Sequence, residues 1–461
     1  MSEANTYWAL HPDAHLRKES TCASVFRVDL QEARLLSPLQ ATVLAMCDGT
    51  KREDDIVRFV RDGFGIDETM ANTFVRATLK AHAMFLSFAS AKRECFRYDP
   101  LEFVFSIPET AVRRTDAPLF LTWLATKRCP FECTYCCIKT SSVWDHESPE
   151  ISTASILSVF NEALSLGTKG FFLSGGEPFL RKDIADVVRF ITHRGGLVQT
   201  STKLQLNAQT LRGLAEAGLR ELQVSIDDYV PEVLRQLVQD PQYFERVSST
   251  ITTALAVGLA VSTNTVVTSL NIRHIPQLVA RLAHLGVKKI ILSNYIRSMW
   301  KHVDALFPTA EDYAWLEDQF VSLMHQAGDT LELRQCRTKD PRTTLGSDGK
   351  CVACPGGIYG LVISSNGDVS LCDRLVEFTE MIVGNILTQS IQEIWASEQL
   401  RRLVSPPREF FSGTLCYECA DYMSCTLHRV RCYRDARLCN GRFFSPDFFC
   451  ERLSAPPLRF F

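Results

Sequence analysis

Between Pro118 and Asn294, short apolar runs alternate with stretches whose apolar residues recur at helical spacing. The runs FLTWLAT, GFFLSG, LVQTST, ELQVSI, AVSTNTVV and KKIILSN are separated by helices predicted from Ser152, from Asp183, from Asn207, near Thr250 and from Ile272. Six strands parted by helices predict an α/β fold over residues 117–335, a parallel barrel or open sheet with its chemistry at the carboxyl ends of the strands. Ahead of it, residues 1–92 read as a small helical domain. Ser37, Pro38 and Gln40 form an N-cap, an N1 proline and a capping-box partner, opening a helix through Val43, Leu44 and Met46 that stops near Gly49. Thr50 and Glu53 predict the same device for a second helix, with Ile56, Val57 and Val60 on its apolar face and an end near Gly63. Asp67 caps a third through Phe74, Val75 and Leu79, and Ala23 to Leu30 is expected to be a strand of a winged arrangement. Residues 93–116 are mixed and polar, as in a linker. From 336 to 461 the alternation is gone, and a turn-rich, cysteine-heavy remainder predicts a segment held by metal as much as by an apolar core.

Composition narrows the function. A chain of 461 residues suggests roughly two to four domains, and 46% hydrophobic against 22% charged residues is the balance of a globular protein. The sequence has no apolar run of bilayer length, and MSEANTYWALHPD lacks the basic-then-apolar order of a secretory signal, so a cytoplasmic protein without membrane contact is expected. The net charge of -3 supplies no general field for a phosphate backbone, which argues against nucleic acid. The 17 cysteines stand out. In a reducing compartment they point to metal or cluster ligation rather than disulfides, although Cys22, Cys47 and Cys95 stand alone on apolar stretches and are expected to be packing thiols.

Directly after the first barrel strand comes Cys129-Pro-Phe-Glu-Cys133-Thr-Tyr-Cys136. Three soft thiolates suit an iron-sulfur cluster and leave one iron of a four-iron cubane open to an outside ligand. A zinc loop is the alternative, but zinc sites usually pair two cysteines with a distant second pair. Cys137 falls outside the spacing and is read as a bystander. Spacing and position, with Tyr135 before the third cysteine, resemble the radical SAM superfamily. The resemblance implies a partial (β/α)6 TIM-like barrel whose [4Fe-4S] cluster chelates S-adenosylmethionine and cleaves it to methionine and a 5'-deoxyadenosyl radical. The second strand ends in Ser174-Gly175-Gly176-Glu177-Pro178, similar to that family's segment for the amino group of the cofactor. Ser201 after the third strand, with Ser225 and Asp227 after the fourth, lies where the family contacts ribose and methionine. Ser201-Thr202-Lys203 stands in place of a frequent Thr-Asn-Gly.

CVACPGGIYGLVISSNGDVSLCD, VGNI, IQEIW and CYECADYMSC resemble the SPASM extension, which carries auxiliary iron-sulfur clusters in peptide- and protein-modifying enzymes. Carried over by position, Cys351, Cys354, Cys372 and Cys432 would hold one cluster. Cys416, Cys419 and Cys425 would hold a second, with Cys450 or Cys439 as its fourth ligand; a zinc-ribbon cap explains the paired cysteines but not their surplus. The N-terminal segment, through LSPLQATVLAMCDGT and the helix pair after it, resembles the PqqD-like fold, or RiPP recognition element, which takes up a leader peptide as an added strand. Together these blocks resemble radical SAM peptide maturases, including sactipeptide synthases. The implied function is hydrogen-atom abstraction from a ribosomally made precursor peptide and thioether closure, with electrons from a donor such as flavodoxin or ferredoxin. Carbon-carbon cross-linking or side-chain oxidation, as in sulfatase-maturing relatives, and an iron-sulfur DNA-binding redox regulator are the alternatives. No catalytic acid or base stands out: His193, His274, His284 and His302 are expected to be surface or packing residues.

Overall fold

A computed structural model describes residues 6–27, 32–92, 98–108, 111–145, 147, 149–327, 331–334, 354–428, 431–448, 450 and 452–453. The N-terminal domain contains strands β1 (Tyr7–Leu10), β2 (Ala14–Lys18), β3 (Ala23–Arg27) and β4 (Glu32–Leu36), helix α1 (Pro38–Ala45), strand β5 (Asp48–Arg52), helices α2 (Glu53–Phe64) and α3 (Glu68–Ala81), and strand β6 (Leu86–Ala89). They form two antiparallel three-stranded sheets, β5-β1-β6 and β2-β3-β4, beside the helices. The Ser37 and Gln40 capping box opens α1, and the Asp67 side chain caps α3.

Thr50 does not cap a helix. Asp48 accepts both its N–H (2.8 Å) and its hydroxyl (2.6 Å), which keeps Thr50 in β5, and Arg52 takes the N-cap position of α2. That helix runs past Gly63 and stops at left-handed Gly65 (φ 63°). The expected linker is also partly core: Phe103 is buried in the N-terminal domain and Tyr98 accepts the Leu16 N–H at 3.0 Å. The strand expected over Ala23 to Leu30 is present over Ala23–Arg27, and 28–30 lie outside the described residues.

The expected strand runs form β7 (Phe120–Leu124), β8 (Gly170–Ser174), β9 (Leu197–Thr202), β10 (Glu221–Ser225), β11 (Ala260–Val267) and β12 (Lys289–Asn294), all parallel. The helices between them are α4 (Thr153–Ser165), α5 (Ile184–Thr192), α6 (Ala208–Glu216), α7 (Pro231–Val238), α8 (Tyr243–Ala256) and α9 (Ile275–His284). The fold is therefore a TIM-like partial barrel. After α10 (Ala310–Ala327), β13 (Glu332–Arg334) adds a further parallel strand beside β12. At the other edge β14 (Gly360–Ile363) pairs in parallel with β7, and β15 (Asp368–Ser370) and β16 (Ile382–Asn385) continue the sheet antiparallel. Helices α11 (Ile391–Ala396), α12 (Glu398–Val404), α13 (Tyr422–His428) and α14 (Tyr433–Asn440) complete the C-terminal part.

Residues 114–117 join all three parts. Glu19, 3% exposed, accepts from Arg17 (2.6 Å), Ser24 (2.7 Å) and the Asp116 N–H (2.9 Å). Arg114 lies 4.3 Å over the Trp395 ring and donates to that residue's carbonyl, while Trp395 Nε1 donates to the Thr115 carbonyl at 2.9 Å. Phe26 and Ala33 pack on Leu119, Phe120, Phe172 and Leu197. Leu119, Phe120 and Leu197 lie at the amino ends of barrel strands, so the N-terminal domain sits beneath the barrel. Chemistry is expected at the opposite rim.

Candidate active site at the barrel mouth

The exit of β8 is stitched to the start of the cysteine loop. Gly176 N–H donates to the Thr126 carbonyl (2.7 Å) and Glu177 N–H to that of Arg128 (2.8 Å). A Cβ on Gly175 (φ +129°) would come 2.5 Å from the Thr126 oxygen, and one on Gly176 would come 2.2 Å from the Arg128 oxygen. Both glycines are thus required by the approach of two backbones, in addition to any ligand.

A cavity of about 310 Å³ opens above the strand ends, lined by Cys129, Cys133, Tyr135, Cys136, Gly175, Gly176, Glu177, Ser201 and Ser225. These nine of the expected cofactor and cluster residues are brought together. Pro178 is not in the wall; it is buried at the start of a 3-10 turn. Asp227 is also behind the wall, 1% exposed, where its Oδ2 accepts from Lys203 Nζ (2.7 Å) and the Tyr135 hydroxyl (2.5 Å). An expected cofactor contact is therefore engaged by two side chains of the protein.

Burial pushes the Cys129 thiol up to about 12 and Cys136 to about 11, and raises Cys133. Thiolates here need a bound cation to stabilise them, and soft sulfur suits iron. Glu177, 2% exposed, is raised by burial to about 7 despite bonds from Lys203 N–H (2.9 Å), Phe179 N–H (3.2 Å) and Thr202 (3.0 Å). A carboxyl so placed gains by meeting an ammonium group. The donor set and cradle thus fit a cluster and the amino acid end of S-adenosylmethionine. Among the described residues, no three His, Cys, Asp or Glu side chains close on a single ion.

Sequence reasoning missed several wall residues. Asn264, Ser293 and Asn294, on the carboxyl halves of β11 and β12, line the cavity, with Ser293 donating to Asn264 at 2.7 Å. The rule that selected Ser201 and Ser225, applied to the next two strands, would have found them. Arg374 also lines the cavity, and it faces the thiol of Cys137, so Cys137 is part of the wall. His274 is more than a surface residue: its Nδ1 is 2.7 Å from buried Asp228.

The C-terminal thiols fall into neighbourhoods. Cys354 interacts electrostatically with Cys372 and Cys432, and Cys416 with Cys425 and Cys450. Cys419 and Cys450 both act on Arg452. Cys439 instead faces Asp435, Asp447 and Arg434. Cys351 and Cys95 lie outside the described residues, whereas Cys22 and Cys47 are buried in the N-terminal domain.

Residues 123–293 match the Radical SAM superfamily, and residues 351–421 match SPASM, an iron-sulfur cluster-binding domain. The chain is 25% identical over 304 residues to a PqqA peptide cyclase of Methylocella silvestris, covering 64% of this chain and 77% of that protein. It is 26% identical over 365 residues to an AdoMet-dependent heme synthase of Methanosarcina barkeri, covering 74% and 98%. The crystal structure of Streptococcus suis SuiB, also solved with S-adenosylmethionine and with its precursor peptide SuiA, superposes with a TM-score of 0.64 at 15% identity over 96% of this chain and all of that one.

Proposed function

From a chain that joins a radical SAM domain to a SPASM iron-sulfur domain, we propose an enzyme that modifies a ribosomally made precursor peptide by hydrogen-atom abstraction and thioether cross-linking. The observation that carries this reading is the cavity in which the three thiols of Cys129, Cys133 and Cys136 share a wall with Glu177. When bound there, the cluster and S-adenosylmethionine supply one-electron cleavage of the sulfonium and a 5'-deoxyadenosyl radical.

The protein's own residues bind, orient and shield. Gly175 and Gly176 set the exit of β8 against the cysteine loop, and Glu177 takes the amino group of the cofactor. Ser201, Ser225 and Asn264 face its polar remainder. Cys351, Cys354, Cys372 and Cys432, with Cys416, Cys419, Cys425 and Cys450, would hold the clusters that accept the electron left when sulfur and carbon join. Thioether closure removes two hydrogen atoms from the peptide and consumes one cysteine thiol. Carbon-carbon closure and oxidation of a hydroxyl side chain also lose two hydrogen atoms but keep the thiol, and oxidation of a cysteine to an aldehyde loses its sulfur, so thiol labelling read together with product mass separates the readings.

The peptide reading is supported by relatives that act on or bind peptides and by the N-terminal domain. Strands β2 and β4 are edges of a three-stranded sheet, the element a leader peptide can extend with backbone hydrogen bonds. The electron donor is proposed to be a flavodoxin or ferredoxin.

The test is anaerobic. The protein reconstituted with iron and sulfide, given dithionite and S-adenosylmethionine, is expected to form 5'-deoxyadenosine, and Cys129→Ala none. An iron-loaded wild type that forms none with candidate precursors present would sink the proposal.

A further inference from the structure

Lys203 stands where the resemblance predicts a glycine, and its side chain lines the same cavity as the cysteine loop. It is 15% exposed, and its Nζ lies 5.5 Å from the centre of the Tyr135 ring and 5.1 Å from that of Tyr243. The ammonium donates to Asp227 Oδ2 (2.7 Å), the same oxygen that accepts the Tyr135 hydroxyl, while Asp227 Oδ1 is buried with no hydrogen-bond partner. Burial lowers Lys203, but the Asp227 carboxylate together with Tyr243 and Cys133 more than offsets it, so the ammonium stays charged. Tyr135 lies between Cys133 and Cys136, so a bond from β10 to its hydroxyl fixes the loop that carries both thiols. Lys203 lines the cavity together with Cys133, whereas Asp227 lies behind that wall, 1% exposed. The end of the pair that faces the cavity is the positive one.

We propose that Lys203 is a positioning residue that tethers the cysteine loop through Asp227 and Tyr135 and presents a fixed positive charge to Cys133, raising the reduction potential of the cluster held there. This rests on the reading of Cys129, Cys133 and Cys136 as cluster ligands. One-electron reduction adds negative charge to a site walled off from water, where a nearby cation is weakly screened. A pair that only joined β9 to β10 would hold the loop without biasing its electron affinity.

The experiment uses the full chain, reconstituted anaerobically, as wild type, Lys203→Met, Lys203→Arg and Asp227→Asn. The midpoint potential of the cluster whose EPR signal responds to S-adenosylmethionine is read in each. Lys203→Met is expected to lower it, raising the oxidised-to-reduced ratio at a fixed potential about tenfold, ~59 mV for a one-electron couple. Asp227→Asn, which leaves the cation uncompensated, is expected to raise it, and Lys203→Arg to restore the wild-type value. Shifts of the same sign in Lys203→Met and Asp227→Asn, or an unshifted Lys203→Met with full iron content, would overturn the proposal. If Lys203→Met does not take up iron, the upward shift in Asp227→Asn decides. Iron uptake at the S-adenosylmethionine-responsive site that survives Cys129→Ala would remove the ligand reading itself, an outcome distinct from failure at Lys203 alone.

Discussion

At the scale of single residues, Glu177 carries the clearest dependence on pH. Its carboxyl is held at about 7 by burial, against an ordinary value of 4.5. The native protein therefore keeps the proton more tightly than the unfolded chain does, and stability falls as pH rises from about 4.5 to about 7. Glu177→Gln removes that cost. In protein stripped of iron, the Tm of Glu177→Gln is expected to approach that of wild type near pH 5 and to exceed it near pH 8, an advantage of up to about 3 kcal/mol. A constant gap across that range would contradict the assignment. The same variant loses the carboxylate proposed to meet the cofactor's amino group, so S-adenosylmethionine affinity is expected to drop about tenfold or more in equilibrium binding.

At the scale of elements, the loop and the glycine segment stand or fall together. Gly176→Ala places a methyl 2.2 Å from the Arg128 carbonyl oxygen, and backbone on both sides leaves little room to yield. The variant is expected to lose about 1–3 kcal/mol by thermal unfolding and to load less iron per chain. Much at this scale was legible in the sequence. The six barrel strands are short apolar runs between helices, Asp67 caps the helix it was expected to cap, and Ser152 and Asn207 are the N-caps of the helices predicted to begin at them. Where the reading failed, a local bond outweighed a pattern. Thr50 has the residue type of an N-cap, yet Asp48 two positions back captures its hydroxyl. Helix α7 was missed because Pro231 and the apolar Val233, Leu234, Leu237 and Val238 follow so soon after β10 that they read as a connection. Asp227 occupies the expected position but is turned to Lys203 and Tyr135, a partnership across 24 residues and another across 92 that no spacing announces. Strand β14 pairs with β7 across some 240 residues of sequence, which only the folded chain reveals.

At the scale of the whole molecule, residues 114–117 are the shared joint of the three parts. Trp395 is 5% exposed, carries the Arg114 guanidinium on its face and donates to the Thr115 carbonyl. Trp395→Ala removes a buried ring together with both contacts and is expected to cost about 3–5 kcal/mol. Limited proteolysis is then expected to cut within residues 111–117 faster than in wild type. Within the described residues, no helix is long and apolar enough to cross a membrane. The N-terminal domain rests against the amino ends of the strands, while Cys129, Cys133 and Cys136 ring a cavity at their carboxyl ends. A second cavity of about 370 Å³ reaches from Phe120 and Tyr359, beside that domain, up to Ser174 and Ser201, which line both cavities. A six-residue strand such as β9 runs about 20 Å, and at the tilt of about 36° usual for such a barrel the wall it builds is about 16 Å high. For a substrate gripped below and altered above, that height acts as a ruler. At about 3.3 Å per extended residue, about five residues must separate the gripped segment from the reacting carbon, and a precursor with a shorter spacer would be held fast by the enzyme and never reach its chemistry.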